Sequence, residues 1–156
     1  MNVLAPNRVT RRYVQTLVRA PAEVFPLLCP VREADWIPGW DPVRVLSASG
    51  VAEPDCVFVT RADADDAFWY VTRHEPAAGF VEMVKFTPGV TACRLTIGLR
   101  PTAGGCEAEV VYTHTSLGPR GDEFVRGFTA DAWARAMRLW EARLNHYLVH
   151  GSALAD

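Results

Sequence analysis

From Val43 onward the chain repeats one pattern six times: a short run of strand-forming residues, then a turn. The runs are Val43–Ser49, Cys56–Arg61, Ala67–His74, Phe80–Phe86, Thr91–Arg100 and Glu107–Ser116. β-Branched and aromatic residues fill them, as a pleated, half-buried surface requires. Gly50, Glu75-Pro76, Pro88-Gly89 and Gly104-Gly105 punctuate them, and the acidic patch Asp63, Asp65 and Asp66 marks a further turn. An alternating run from Val9 to Arg19 adds one strand in front. Strand after strand with short turns predicts an antiparallel sheet of about seven strands. Residues 1–8, with Pro6 and Asn7 and no periodicity, read as a flexible end.

Between the first strand and the rest lies Pro21-Ala-Glu-Val-Phe-Pro-Leu-Leu-Cys-Pro-Val-Arg-Glu-Ala-Asp-Trp-Ile-Pro-Gly-Trp40. Pro21 suits a first helical turn, and Glu23 suits its positive end. That helix ends near Cys29-Pro30, and a second short helical turn covers Val31 to Trp36. Proline prevents the two from merging. A loop with Trp36 and Trp40 follows.

The C-terminal part is helical, but its phase breaks. Trp133, Met137, Trp140, Leu144 and Leu148 step by three or four residues and share one face. Phe124 and Phe128 fall on roughly the opposite side when that helix is projected backwards. A short helix, a break near Gly127 to Thr129 and then a long helix resolves the conflict. Thr129 is a suitable N-cap, Asp131 suits the first turn, and Gly151 is a natural stop.

The 156 residues are 49% hydrophobic and 22% charged, the balance of an ordinary globular domain. A net charge of -2 offers no case for nucleic acid, which demands a basic face. Arginine greatly outnumbers lysine, and the arginines are scattered as a solvated surface would have them. Cys29, Cys56, Cys93 and Cys106 form no Cys-x-x-Cys pair and have no histidine at metal-ligand spacing; they read as buried thiols. No metal or cofactor is expected. There is no run of roughly 20 apolar residues, so no membrane span is expected, and no export signal is evident. Reduced thiols and no signal suggest the cytoplasm.

The order of elements resembles the START-like, or SRPBCC, superfamily, which includes the major birch-pollen allergen and polyketide cyclase/dehydrase-like proteins. Three stretches carry the resemblance: the Ala20-Pro21-Ala-Glu-Val-Phe helix entry, the Pro88-Gly89 turn, and Tyr112-Thr-His-Thr-Ser-Leu117 leading into the terminal helices. The stretch from Cys29 to Trp40 looks like a bacterial subgroup of uncharacterised members. The resemblance implies a helix-grip α+β fold over residues 9–150: a curved antiparallel sheet wrapped around one long C-terminal helix, with two short helices after the first strand. It also implies a cavity between sheet and helix, with Trp36 and Trp40 near its mouth.

Alternation then nominates cavity-facing residues. Glu107 and Glu109 should be solvated, which turns Ala108, Val110, Tyr112 and His114 inward. Arg94 and Arg100 likewise turn Cys93, Leu95, Ile97 and Leu99 inward. In the first strand, Val14, Thr16 and Val18 form the expected inner set. The 67–74 strand stays ambiguous, with Phe68, Tyr70, Thr72 and His74 on one face and Trp69, Val71 and Arg73 on the other. Glu82 is in the cavity if Phe80, Val84 and Phe86 face inward and solvated if Met83 does; the rarity of buried carboxylates favours the latter.

The chemistry offered is incomplete. Tyr112 and His114 share a face and can orient a carbonyl or move a proton, but no third group completes a catalytic set. Arg32, Glu33 and Asp35 form either a polar gate beside Trp36 or, more simply, a salt-bridged surface. His146 and His150, four apart at the helix end, lack the glutamate of a His-Glu-x-x-His motif and read as a surface pair. The function expected is binding of a hydrophobic or aromatic small molecule, lipid or polyketide-like, by a monomer or homodimer. Trp36, Trp40, Tyr70, His74, Leu95, Ile97, Tyr112, His114, Trp133, Met137 and Trp140 are the expected lining. The alternative is a cyclase, aromatase or dehydratase in which His114 and Tyr112 transfer protons; the sequence leaves open whether the chain is an enzyme.

Overall fold

The computed structural model describes residues 1–62 and 65–155. Its order is β1 (Arg8–Leu17), α1 (Pro21–Val24), β2 (Arg44–Leu46), β3 (Val57–Ala62), β4 (Asp65–Glu75), β5 (Phe80–Thr87), β6 (Thr91–Thr102), β7 (Gly105–Ser116), α2 (Pro119–Gly127) and α3 (Ala130–His150). Two 3₁₀ turns, Phe25–Leu27 and Arg32–Asp35, follow α1. The seven strands make one antiparallel sheet in the order β1-β7-β6-β5-β4-β3-β2. Consecutive strands from β2 to β7 are neighbours, and β1 returns to pair with β7 over its whole length.

Turn chemistry sets the registers. Thr102 pairs with Gly105, leaving Ala103 and Gly104 as a two-residue hairpin loop. Thr87 pairs with Thr91 around Pro88-Gly89-Val90, where Gly89 takes a φ of +70°. Asp65 and Asp66 belong to β4 rather than to a turn; Asp63 lies outside the described residues. Asp65 pairs with Arg120 of α2. The N-terminal end is also shorter than expected. Arg8 is already in β1, the Asn7 side chain donates to Asp122 at 2.7 Å, and its carbonyl accepts from Ser116 N.

The inner face of the sheet carries Leu17, Phe58, Trp69, Val71, Val81, Met83, Leu95, Ile97, Ala108 and Val110, all buried. For β6 and β7 this is the expected parity. For β1 it is reversed: Tyr13, Gln15 and Leu17 face inward, while Val14, Thr16 and Val18 are exposed. Two polar side chains of β1 donate to helix-end and helix carbonyls on that face. Gln15 Nε2 donates to the Met137 carbonyl at 3.2 Å, and Arg11 Nε donates to the Phe128 carbonyl at 3.0 Å, just past the end of α2. A cation is favourable at that negative helix end. In β4 the Trp69 set faces inward, and in β5 Met83 does, so Glu82 sits on the outer face and accepts from Thr72 Oγ1 at 2.9 Å. A register shift between Val71 and Arg73 then returns His74 to the inner side, opposite Val81.

α3 begins where its phase requires. Thr129 accepts a hydrogen bond from Ala132 N at 3.2 Å as N-cap, and Gly151 ends the helix in the left-handed region at φ +69°. Trp133, Met137 and Leu144 are buried against the sheet. Asn145 holds the other end of α3 to the edge strand: its Nδ2 donates to the Thr16 carbonyl at 2.8 Å and its Oδ1 accepts from Val18 N at 3.0 Å. The side chain thus bonds the edge backbone as a further strand would. No helix among the described residues is long and apolar enough to cross a membrane.

α2 lies so close to the β5–β6 turn that only glycine fits at Gly121. A Cβ there would stand 2.0 Å from the Val90 carbonyl oxygen and 2.7 Å from Ser116 Oγ. Gly121→Ala is expected to cost about 1–3 kcal/mol by overpacking, read as a lower urea midpoint at unchanged m-value. Gly127→Ala, whose Cβ would meet nothing within 4 Å, should not show that loss.

Candidate functional site

One partly enclosed, largely apolar cavity of about 280 Å³ lies between the sheet and its covers. The sheet contributes Phe58, Trp69, Met83, Lys85, Leu95, Ile97 and Tyr112. α3 contributes Ala136, Met137 and Trp140, and the segment after α1 contributes Pro30, Glu33, Ile37 and Trp40. Strand pairing explains the sheet wall. Trp69, Lys85, Cys93 and His114 are successive partners across β4, β5, β6 and β7, and Val71, Met83, Leu95 and Tyr112 form the next row.

The two expected tryptophans do different things. Trp40 lines the cavity and donates from Nε1 to the Pro30 carbonyl at 2.7 Å. Trp36 is wholly buried, donates to the Leu27 carbonyl at 3.1 Å and packs on Trp140 at 5.2 Å. It fastens the loop to the core and does not line the cavity. Leu95, Ile97, Tyr112, Met137 and Trp140 stand in the cavity wall. Trp133 is packed behind it, against Tyr112 and Phe128. Tyr70 is on the outer face, its hydroxyl donating to Asp55 at 2.6 Å, so it cannot reach the cavity. His74 packs on Phe25 and lines a separate cleft of about 190 Å³ with Pro26, Cys29 and Ala52.

His114 is also out of the cavity. It is 2% exposed, and its ring sits 4.7 Å from both Phe124 and Phe128 and 5.9 Å from Tyr112. The two phenylalanines that broke the helical phase thus form its cage. Its Nδ1 has no hydrogen-bond partner among the described residues. Burial, with Lys85 as a smaller cause, pushes it down to about 4. The ring is packed in an aromatic cage, where burial favours its neutral form.

The titratable groups that do face the cavity are Glu33, Lys85 and Tyr112. Burial alone pushes the Glu33 carboxyl up to about 8. Its neighbours behave as the simple surface reading requires, since Arg32 and Asp35 pair at 2.6 Å in solvent. Glu33, between them in sequence, turns the other way. Burial holds Lys85 below its ordinary value; Cys93 opposes that shift, and the ammonium lies 5.0 Å from the Trp69 ring centroid. Burial, with smaller effects of Cys93 and Glu33, holds the Tyr112 phenol well above its usual range. The cavity therefore combines a carboxylic acid, an amine and a neutral phenol in an apolar setting.

Sequence reasoning passed over Lys85, although composition carried a signal. Fifteen of the sixteen basic side chains are arginine, and Lys85 is the single lysine. All four cysteines are buried and free. Among the described residues no group of three or more His, Cys, Asp or Glu side chains could hold a metal ion. The rings of His146 and His150 lie 4.4 Å apart near the end of α3, away from the cavity.

Solved structures share this architecture. A truncated norcoclaurine synthase from Thalictrum flavum aligns over 96% of this chain and 99% of its own, with 12% identity and a TM-score of 0.70. An uncharacterised protein from Rhizobium leguminosarum aligns over 92% of this chain and 96% of its own, with 14% identity and a TM-score of 0.66. This is the helix-grip fold. DynU16, a protein in the dynemicin biosynthetic locus, has it too, with 18% identity and a TM-score of 0.59 over 92% of this chain; the match spans 48% of DynU16. The sequence matches no protein-family model and no curated protein. Helix-grip proteins differ in function, so what this one does rests with the side chains of its cavity.

The buried titratable groups predict two opposite pH effects. His114 resists protonation when folded and accepts a proton near 6.5 when unfolded, so its share of stability is complete above that pH and lost as pH falls toward 4. The loss is about 3 kcal/mol. His114→Leu should flatten the fall in urea midpoint between about pH 7 and about pH 4.5. Glu33 has the other sign: the stability linked to its protonated carboxyl is present below its ordinary value and lost as pH rises through about 8. Glu33→Gln should gain thermal stability over the native chain at alkaline pH and not in acid.

Proposed function

We propose that the chain binds one compact aromatic molecule bearing a polar group, held flat in the cavity of the helix grip. The observation that carries this reading is the lining itself: Trp40, Phe58, Trp69 and Trp140 surround about 280 Å³ into which only a few polar groups project. Ligand sites of this type hold an apolar body by burial and fix its orientation with a few placed polar atoms. The volume is at the lower end of such sites, which favours two or three fused rings over a lipid chain or a long polyketide. Burying about 200 Å² of aromatic surface at about 25 cal/mol per Å² gives about 5 kcal/mol. That corresponds to a Kd near 0.2 mM, so tighter binding must come from Tyr112, Glu33 and Lys85.

2-Naphthol tests the reading, with quenching of tryptophan fluorescence as readout. The expected result is saturable binding to the native chain, weakened about tenfold or more in Leu95→Trp, which fills the cavity. Equal affinity for the two proteins would place the ligand elsewhere, and preference for a long-chain fatty acid would overturn the ligand class.

A second reading is favoured by the three titratable groups. An acid, an amine and a phenol on one apolar wall are the parts of an acid–base catalyst for cyclisation or dehydration of a carbonyl compound. In that reading Glu33 and Lys85 replace His114 as the proton-transferring pair, with Tyr112 orienting a carbonyl. Offered a poly-β-carbonyl thioester, the native chain should accelerate aldol closure. Glu33→Gln should lose about 100-fold in turnover, whereas His114→Leu should lose activity only in proportion to lost folded protein.

A further inference from the structure

The lone lysine has a further consequence, which rests on reading the cavity as a ligand site. We propose that Lys85 is a nucleophile that holds an aromatic aldehyde or ketone in the cavity as a reversible imine, with Glu33 and Tyr112 serving the proton and the carbonyl oxygen.

Three independent observations support it. The first is composition: fifteen arginines serve the other basic positions, and the one amine side chain lies in the cavity wall. Arginine stays charged in proteins, whereas a lysine amine can lose its proton and attack carbon. The second is setting. Lys85 stands between Trp69 and Cys93 on its row, with Met83 and Leu95 in the next row. No carboxylate forms an ion pair with it among the described residues, its ammonium meets an aromatic face at 5.0 Å, and burial favours the neutral amine. The Cys93 thiol is itself pushed up to about 12 by burial and supplies no negative charge at neutral pH. A desolvated lysine in an apolar pocket is the form that adds to carbonyls. The third is the proton inventory. Glu33 lies on the cover opposite the sheet wall and keeps its proton up to about 8, and Tyr112 keeps its hydroxyl proton across the working range.

The chemistry balances without a redox partner. The Nζ lone pair forms a bond to the carbonyl carbon, the C=O π pair moves to oxygen, and one N–H proton passes to that oxygen to give a carbinolamine. Tyr112 donates a hydrogen bond to the oxygen as charge develops. The Glu33 carboxyl then protonates the hydroxyl, the C–O bond breaks, and water leaves. The product is a protonated imine facing a Glu33 carboxylate, and hydrolysis reverses every step.

Having a single lysine makes the test clean, because the N-terminal amine is the only other primary amine in the chain. The native chain is incubated at neutral pH with 2-naphthaldehyde and sodium cyanoborohydride, which fixes an imine as a secondary amine. Adducts are located by mass on the tryptic peptide spanning His74 to Arg94. The expected result is one adduct on Lys85, saturable in aldehyde, formed about 100-fold faster than on the N-terminus and suppressed by excess 2-methylnaphthalene. Lys85→Arg and Lys85→Met should lose it while still binding 2-methylnaphthalene; Lys85→Met keeps an unbranched apolar side chain against Trp69 and is expected to fold. Glu33→Gln should slow trapping about tenfold or more without weakening binding of that hydrocarbon.

Labelling that rises linearly with aldehyde, ignores the competitor or favours the N-terminus would overturn the imine. If 2-methylnaphthalene binds and no saturable adduct forms, the imine fails while the cavity remains a binding site. If neither compound binds, both readings fail.

Discussion

One helix cannot cover seven strands, and much of this protein follows from that mismatch. Six inter-strand spacings of about 4.8 Å make the sheet about 29 Å wide, whereas a helix with its side chains is about 10 Å across. α3 is not centred on the sheet. Gln15 bonds the Met137 carbonyl, and Asn145 bonds the backbone of Thr16 and Val18, so the helix is fastened along β1. The inner faces of β3 to β6 must then be covered by something else. The segment from Pro21 to Trp40 does it, held down by the buried Trp36. The cavity is the space left between these two covers.

That origin explains why charge and aromatic surface coexist there. A site filled by one close-packed helix would leave no room for Lys85, whose head needs either solvent or a π face. The row Trp69, Lys85, Cys93, His114 runs from the cavity into the dry corner under α2. Its members change character along the way. Trp69 and Lys85 line the cavity, Cys93 is a buried thiol, and His114 is enclosed by Phe124 and Phe128. The histidine that sequence logic favoured lies in the corner, and the lysine one strand beyond Cys93 lines the cavity.

The fold was legible because each of its signals is local. Pro88-Gly89 and Gly104-Gly105 act within a few residues, and the phase conflict between Phe124 and Trp133 identified the break at which Thr129 caps α3. Parity was legible in β6 and β7, where Arg94, Arg100, Glu107 and Glu109 mark the outer face. It failed in β1, where Arg11 and Gln15 are polar yet face inward, because carbonyls at Phe128 and Met137 receive them. It stayed undecided in β4, where both faces carry aromatic residues and a register shift after Val71 exchanges them. Part of the cavity wall was legible, since Trp40, Leu95, Ile97, Tyr112, Met137 and Trp140 all stand in it. Arg32, Glu33 and Asp35 read together as a polar gate or a salt-bridged surface, and the structure separates Glu33 from the other two. A 3₁₀ turn points consecutive residues about 120° apart, so neighbours need not share an environment.

Sequence by itself determined the order of strands along the chain, the turns, the helix break and its cap, because these depend on residues close together along the chain. It also determined that the chain has one amine side chain. Only the tertiary structure decided that this amine faces a cavity, that a carboxyl from a distant turn faces the same space, and that His114 does not. Those outcomes depend on which strand pairs with which and on where α3 is fastened, and contacts between residues far apart in sequence set both.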